Sequence, residues 1–223
     1  MTGTLKTTLI QNPSSADVNI TLGTSGEVTL AKSPVLNGST SGTLTIAAPA
    51  VAGTNTQTLV AATGTLAPLI SATAQASTSG TSIDFTSIPS WVKRITVMFN
   101  SVSTSGTANL LIQLGTSSGV TNTGYLSYGV RLGTTGISGG INYTTGFGIA
   151  SAASTYVMTG ATVISYLSGN TWVANGMYAE TTTALGLPLS GGVSLAATLD
   201  RVRITTVGGT DTFDAGTINI MYE

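Results

Sequence analysis

The chain has 223 residues, of which 7 are Lys or Arg and 8 are Asp or Glu, with no histidine, no cysteine and a formal net charge of -1. Charged residues make up 7% of it, against about 25% in soluble domains at large, so its polarity rests on Thr, Ser, Asn and backbone. Without His or Cys the usual neutral-pH base, thiol chemistry and the common transition-metal ligands are missing, and a near-neutral chain has no basic field for nucleic acid or an anionic membrane.

A hydroxyl that finds a partner costs far less to desolvate than an ammonium or carboxylate, so this composition suits packing against copies of itself or other subunits. It points to structure and binding: no enzymatic activity, cofactor or metal is expected. No cysteine means no disulfide framework. The start, Met1-Thr2-Gly3-Thr4-Leu5-Lys6, has no basic region followed by an apolar run, so no secretory signal is expected. Apolar residues come in short alternating stretches with no run of about 18, so no membrane insertion is expected either.

From Leu5 to about Pro68 the sequence is built of short pieces without Trp, Tyr or Phe. Ser25-Gly26-Glu27-Val28-Thr29-Leu30 recurs as Ser41-Gly42-Thr43-Leu44-Thr45-Ile46, with a weaker echo at Thr63-Gly64-Thr65-Leu66. Each unit is a Gly turn feeding a short strand of alternating apolar and hydroxyl residues. Such a strand needs neighbours, either successive units of its own chain or the same units in other chains. Residues 1–68 are therefore predicted to be an extended N-terminal β arm or interlocked β segment. The small, polar run 69–80 is predicted to be a linker, in loop or short-helix form.

All four Phe, both Trp and all seven Tyr lie beyond Gly80. Ile83 and Phe85 alternate with polar residues, as do Ile95, Val97 and Phe99, and Leu110, Ile112 and Leu114 follow the same period. Further strands are predicted over 161–166, 171–178 and 202–207 and at Ile218, Ile220 and Tyr222. Turn signals separate them at Ser105-Gly106, Gly139-Gly140, Gly169-Asn170, Gly191-Gly192, Gly208-Gly209 and Ala215-Gly216. The fold class predicted for 81–223 is all-β, an antiparallel β-sandwich or jelly-roll-like domain.

Candidate site residues are few. Asp200, Asp211 and Asp214, with Glu180 upstream, suit calcium or paired-carboxylate chemistry, but Asp211 to Gly216 sits between two strands, where Asp and Gly serve turn geometry. Arg201 and Arg203 share one face of a strand and either grip a carboxylate ligand or pair with acids such as Asp84 and Asp200. Tyr125, Tyr128, Tyr143, Trp172 and Tyr178 are the candidates for sugar stacking, since a flat ring offers large contact area with little entropy loss; core or intersubunit packing is the competing reading. Trp91, after Ile88-Pro89-Ser90, is read as the anchor of a strand start.

The stretch Gly42 to Leu59 followed by Ala62-Thr63-Gly64-Thr65-Leu66 resembles linker repeats in tail-fibre and other virion proteins of tailed bacteriophages. Ile88 to Val97 and Leu199 to Ile220 are similar to the ends of C-terminal domains in phage fibre and structural proteins. The resemblance implies a homotrimer with an N-terminal virion-attachment segment and a distal β domain, assembled in the host cytoplasm and displayed on the virion surface. It implies other virion proteins as partners, tail or major capsid protein, and a host surface glycan if the copy is a tail fibre. A decoration protein reinforcing the capsid shell fits the same pattern. A cell-surface carbohydrate-binding adhesin is the alternative, since Thr/Gly-rich β repeats occur there too.

Overall fold

The computed structural model describes residues 67–223 continuously, and before them 9–11, 18–22, 28–30, 35–37, 41 and 43–46. The chain divides into two units, Met1–Gly64 and Thr65–Glu223. In the first, β1 (Leu9–Gln11), β2 (Val18–Leu22) and β3 (Val28–Leu30) form an antiparallel meander, and β4 (Val35–Asn37) pairs with β5 (Thr43–Thr45). The alternating part of each Ser-Gly repeat carries a strand, β3 in the first copy and β5 in the second. These strands pair with sequence neighbours in their own chain, one of the two solutions such repeats allow. The third echo, at Thr63, lies outside the described residues.

The second unit is all-β, with two antiparallel sheets in a sandwich. Its strands are β6 (Ile70–Ser71), β7 (Gln75–Ala76), β8 (Ser82–Phe85), β9 (Arg94–Thr104), β10 (Leu110–Thr116), β11 (Gly119–Val120), β12 (Leu126–Gly133), β13 (Gly136–Tyr143), β14 (Phe147–Ile149), β15 (Met158–Ser168), β16 (Thr171–Glu180), β17 (Leu185–Ser194), β18 (Arg201–Thr206) and β19 (Phe213–Tyr222). The small sheet runs β11-β10-β18-β8, with β14 also paired to β10; the large one runs β13-β12-β17-β16-β15-β9-β19-β6, with β7 also on β19.

The period of two puts one face of every strand in the core. Ile95, Val97 and Phe99 of β9, Ile164 of β15, Trp172 and Tyr178 of β16, Leu187 and Leu189 of β17 and Ile218 and Ile220 of β19 face Leu110, Ile112 and Leu114 of β10 and Val202 and Ile204 of β18 in one cluster. The outward positions of the large sheet are the exposed ones: on β16, Val173, Asn175, Met177 and Ala179 alternate with buried Trp172, Ala174, Tyr178 and Glu180.

Three expectations are corrected. The run 69–80 is not a free linker: β6 and β7 add to β19, and Ser77 is buried, its N–H donating to Gly216 O at 2.9 Å and its hydroxyl to Ala215 O at 2.7 Å. Short polar residues suit an edge strand that hydrogen-bonds through its backbone. Second, Gly139-Gly140 and Gly191-Gly192 lie inside β13 and β17 rather than at turns. A Cβ at Gly140 would meet the Tyr128 hydroxyl at 2.0 Å, and one at Gly191 would meet Leu126 O at 2.6 Å, so these glycines admit close neighbours. Third, Ala215-Gly216 forms a bulge within β19 where the register on β9 shifts, and Gly216 has φ 95°.

Candidate functional site

The acids come first, because in a chain this poor in charge each is conspicuous. Arg203 donates from Nε and Nη2 to Asp84 Oδ1 and Oδ2 at 2.7 and 2.9 Å across the β18-β8 pair, and the bond keeps the guanidinium above its ordinary range despite partial burial. Arg201 Nη2 donates to Asp200 Oδ2 at 2.8 Å. Arg94 pairs with Glu223. Asp211 accepts the Ala108 N–H at 2.8 Å, and Asp214 accepts the Ser103 hydroxyl. Through these bonds Asp211 and Asp214 hold the loop after β9 and β9 itself; among the described residues no cluster of three or more His, Cys, Asp or Glu forms.

Glu180 ends β16 with only 1% of its surface exposed. Its Oε1 accepts the Thr182 N–H at 2.6 Å, and its Oε2 accepts the Thr183 N–H at 2.7 Å and hydroxyl at 2.6 Å. Burial pushes the carboxyl pKa up, but the Thr183 and Thr182 bonds together outweigh it and hold the group below the ordinary value. The carboxylate therefore caps the loop between β16 and β17.

The five candidate rings separate by burial. Tyr178 is fully buried, 4.9 Å from the Phe99 ring centre, with its hydroxyl 2.8 Å from Thr162 Oγ1. Tyr125 is buried edge-on against Phe147 at 5.1 Å, and its hydroxyl accepts the Leu114 N–H at 2.7 Å. Burial raises both phenol pKa values, Leu114 and Thr162 offsetting it only in part. Tyr143 is buried too; burial, partly offset by the Arg131 charge, pushes its phenol up to about 12. All three are packed into the fold, but Tyr125 and Tyr143 also edge a groove of about 430 Å³ shared with Tyr128, Asn142 and Ser190, and the Tyr143 hydroxyl is buried without a partner among the described residues. Tyr128 alone is exposed, at 47%, its ring lying over Gly140 beside Asn142 and Ser190 of the flanking strands.

Trp172 is the intermediate case. Its ring is core, 3% exposed, yet it also lines a cavity of about 170 Å³ at one end of the sandwich, with Pro89, Lys93, Tyr166, Asn170 and Thr198. The loops before β9 and β18 and the β15-β16 turn converge there. Lys93 Nζ sits 4.1 Å from the centre of the Tyr166 ring, which meets Trp172 edge-on at 5.5 Å. The Trp172 indole N–H is buried without a partner among the described residues. The sequence marks Trp172 as a candidate ring, Lys93 as a cation opening a strand and Asn170 as part of a turn, but not Tyr166; only the folding of three separate segments to one end joins them. Trp91, just before β9, is partly exposed, with its ring centre 6.1 Å from that of Tyr222.

A second groove, about 680 Å³, lies on the outer face of the small sheet, lined by Leu111, Gln113, Val120, Arg201, Arg203 and Thr205 among others. Besides the two arginines, Gln113 Nε2 donates to Thr145 O at 2.7 Å and the Thr205 hydroxyl to Thr81 O at 2.8 Å, while Arg201 Nε and the Thr206 hydroxyl are buried without a partner among the described residues. Comparison with protein-family models, curated proteins and solved structures found no match to this chain.

Proposed function

We propose that the chain is a non-enzymatic structural protein of the surface of a tailed-bacteriophage virion, a homotrimeric fibre or decoration protein attached through its N-terminal unit. The observation that supports it is the use made of the acids. All six between residues 67 and 223, Asp84, Glu180, Asp200, Asp211, Asp214 and Glu223, are engaged by an arginine, a hydroxyl or a backbone N–H that fixes the fold. Acid-base chemistry needs a carboxyl aimed at a substrate; here each is aimed at the scaffold. The sequence resemblance supplies the virion setting. Partners are then copies of the chain and either a tail protein or the major capsid protein. Immunogold labelling of virions tests this: label on tail or head is expected, with tail label favouring host contact and head label shell reinforcement, and no label on either sinks the virion assignment.

The alternative, a cell-surface carbohydrate-binding adhesin, draws on the end cavity, and so does a host glycan contact by a tail fibre. Ser90, Asn170 and Thr198, beside the Trp172 ring, offer neutral hydrogen bonding to one sugar residue. Both tryptophans lie near this end, so a sugar entering the cavity is expected to change the intrinsic fluorescence, and Asn170→Ala to weaken that response. A spectrum indifferent to a panel of monosaccharides counts against glycan contact there.

A further inference from the structure

The large sheet leaves one whole face outward. Read across the register, its rows are Met98, Ala161, Met177 and Pro188; then Thr96, Val163, Asn175, Ser190 and Tyr128; then Arg94, Ser165, Val173, Gly192 and Leu126. Antiparallel sheets that face water carry polar residues on the outer face. Here, on the outward positions of β9, β15, β16, β17 and β12, Arg94 is the sole charge, at the margin and paired with Glu223. Val173, Met177, Leu126 and Tyr128 are exposed by 41, 53, 82 and 47%. Interspersed with Asn175, Ser190, Ser165 and Gly192, they make one uncharged face of methyl, thioether, ring and hydroxyl groups, and exposed apolar residues collected on one surface suit an interaction site.

We infer that this face, centred on Val173 and Met177 of β16, is where a second copy of the chain packs. The inference rests on the homotrimeric reading above and adds where the copies meet. Three features select a copy as the occupant. A partner of ordinary composition, with about 25% charged residues, would bury charges against a face that has none to pair with them. A copy brings the same hydroxyl, methyl and thioether groups, whose desolvation costs little. Area agrees: five strands spaced about 4.8 Å, each contributing about eight residues at about 3.3 Å, present about 600 Å² before side-chain relief is counted, close to the about 800 Å² each partner gives a standard interface. Relief is present as well. Glycines 186 and 192 leave hollows beside Met177 and Val173, and an unbranched methionine adapts to what it meets.

The chain has no cysteine, so an introduced thiol reports its own accessibility. The full chain carrying Val173→Cys is compared in maleimide labelling with the full chain carrying Thr123→Cys, on the exposed loop between β11 and β12, after light scattering has given the mass of each. In an oligomer, the thiol at 173 is expected to label about tenfold more slowly, because packing removes access to its thiolate. Equal rates in an oligomer overturn this interface and leave the trimer standing; a single-chain mass for the unmodified protein overturns both. A second variant, Val173→Glu with Met177→Glu, is expected to scatter as a single chain with an unchanged β circular-dichroism spectrum. Retention of the parental mass contradicts the inference, and if that variant does not fold, the labelling rates decide.

Discussion

Tyr178 and Tyr128 are the same residue type on the two strands that flank β17 in one sheet, and they do opposite things. Tyr178 fills the core against Phe99 and closes a hydroxyl bond with Thr162, so Tyr178→Ala is expected to cost about 3–5 kcal/mol of stability, read as a lowered Tm. Tyr128 lies over a glycine at the surface, and Tyr128→Ala is expected to cost no more than about 1 kcal/mol. Parity along a strand is legible in the sequence; which parity faces inward at the strands from β12 to β17 depends on the sheet order, and that is why five rings could be shortlisted but not sorted. Glu180 gives a sharper test. Its pKa is lowered by folding, so its contribution is complete above the ordinary value of 4.5 and is lost as pH falls through the folded value. Hydrogen bonds to a charged acceptor contribute about 1.5–3 kcal/mol, so Glu180→Gln should lower Tm at pH 7, and the gap from the parent should close as pH is taken below 4.5. A gap that is constant with pH contradicts the capping role.

At the level of elements, the strands rich in alternating Ile, Val, Leu and Phe are plain in the sequence, and β8, β9, β10, β15, β16, β18 and β19 fall where that pattern puts them. The glycine-bearing strands β12, β13 and β17 are not, because glycine has the same signature in a turn and in a strand that must admit a neighbouring ring or backbone. The bulge in β19 is a test of that second use. A Cβ at Gly216 would sit 2.3 Å from Ser101 O, and φ there is 95°, so Gly216→Ala is expected to destabilise by more than about 1 kcal/mol in chemical denaturation. The junction gives another. A chain starting at residue 65 keeps β6, β7 and the Ser77 bonds, whereas one starting at residue 81 strips them from β19. The first should melt close to the intact second unit; the second should melt lower and aggregate through the freed edge. Equal melting temperatures would restore 69–80 to the status of a tether.

For the whole molecule, the pairing of Arg203 with Asp84 and of Arg201 with Asp200 was legible because so few charges exist that their partners are nearly forced. The end cavity around Trp172 was not, since its walls come from loops far apart in sequence. The scarcity of charge unites the account. It leaves the acids enough to pin loops and strand pairs and leaves an outward sheet face that a copy of the chain can cover without desolvating an ion. The most direct test is the mass of the full chain in dilute neutral buffer by light scattering. The account predicts three times the 22.3 kDa of one chain, unchanged on dilution; a stable particle of single-chain mass would contradict it.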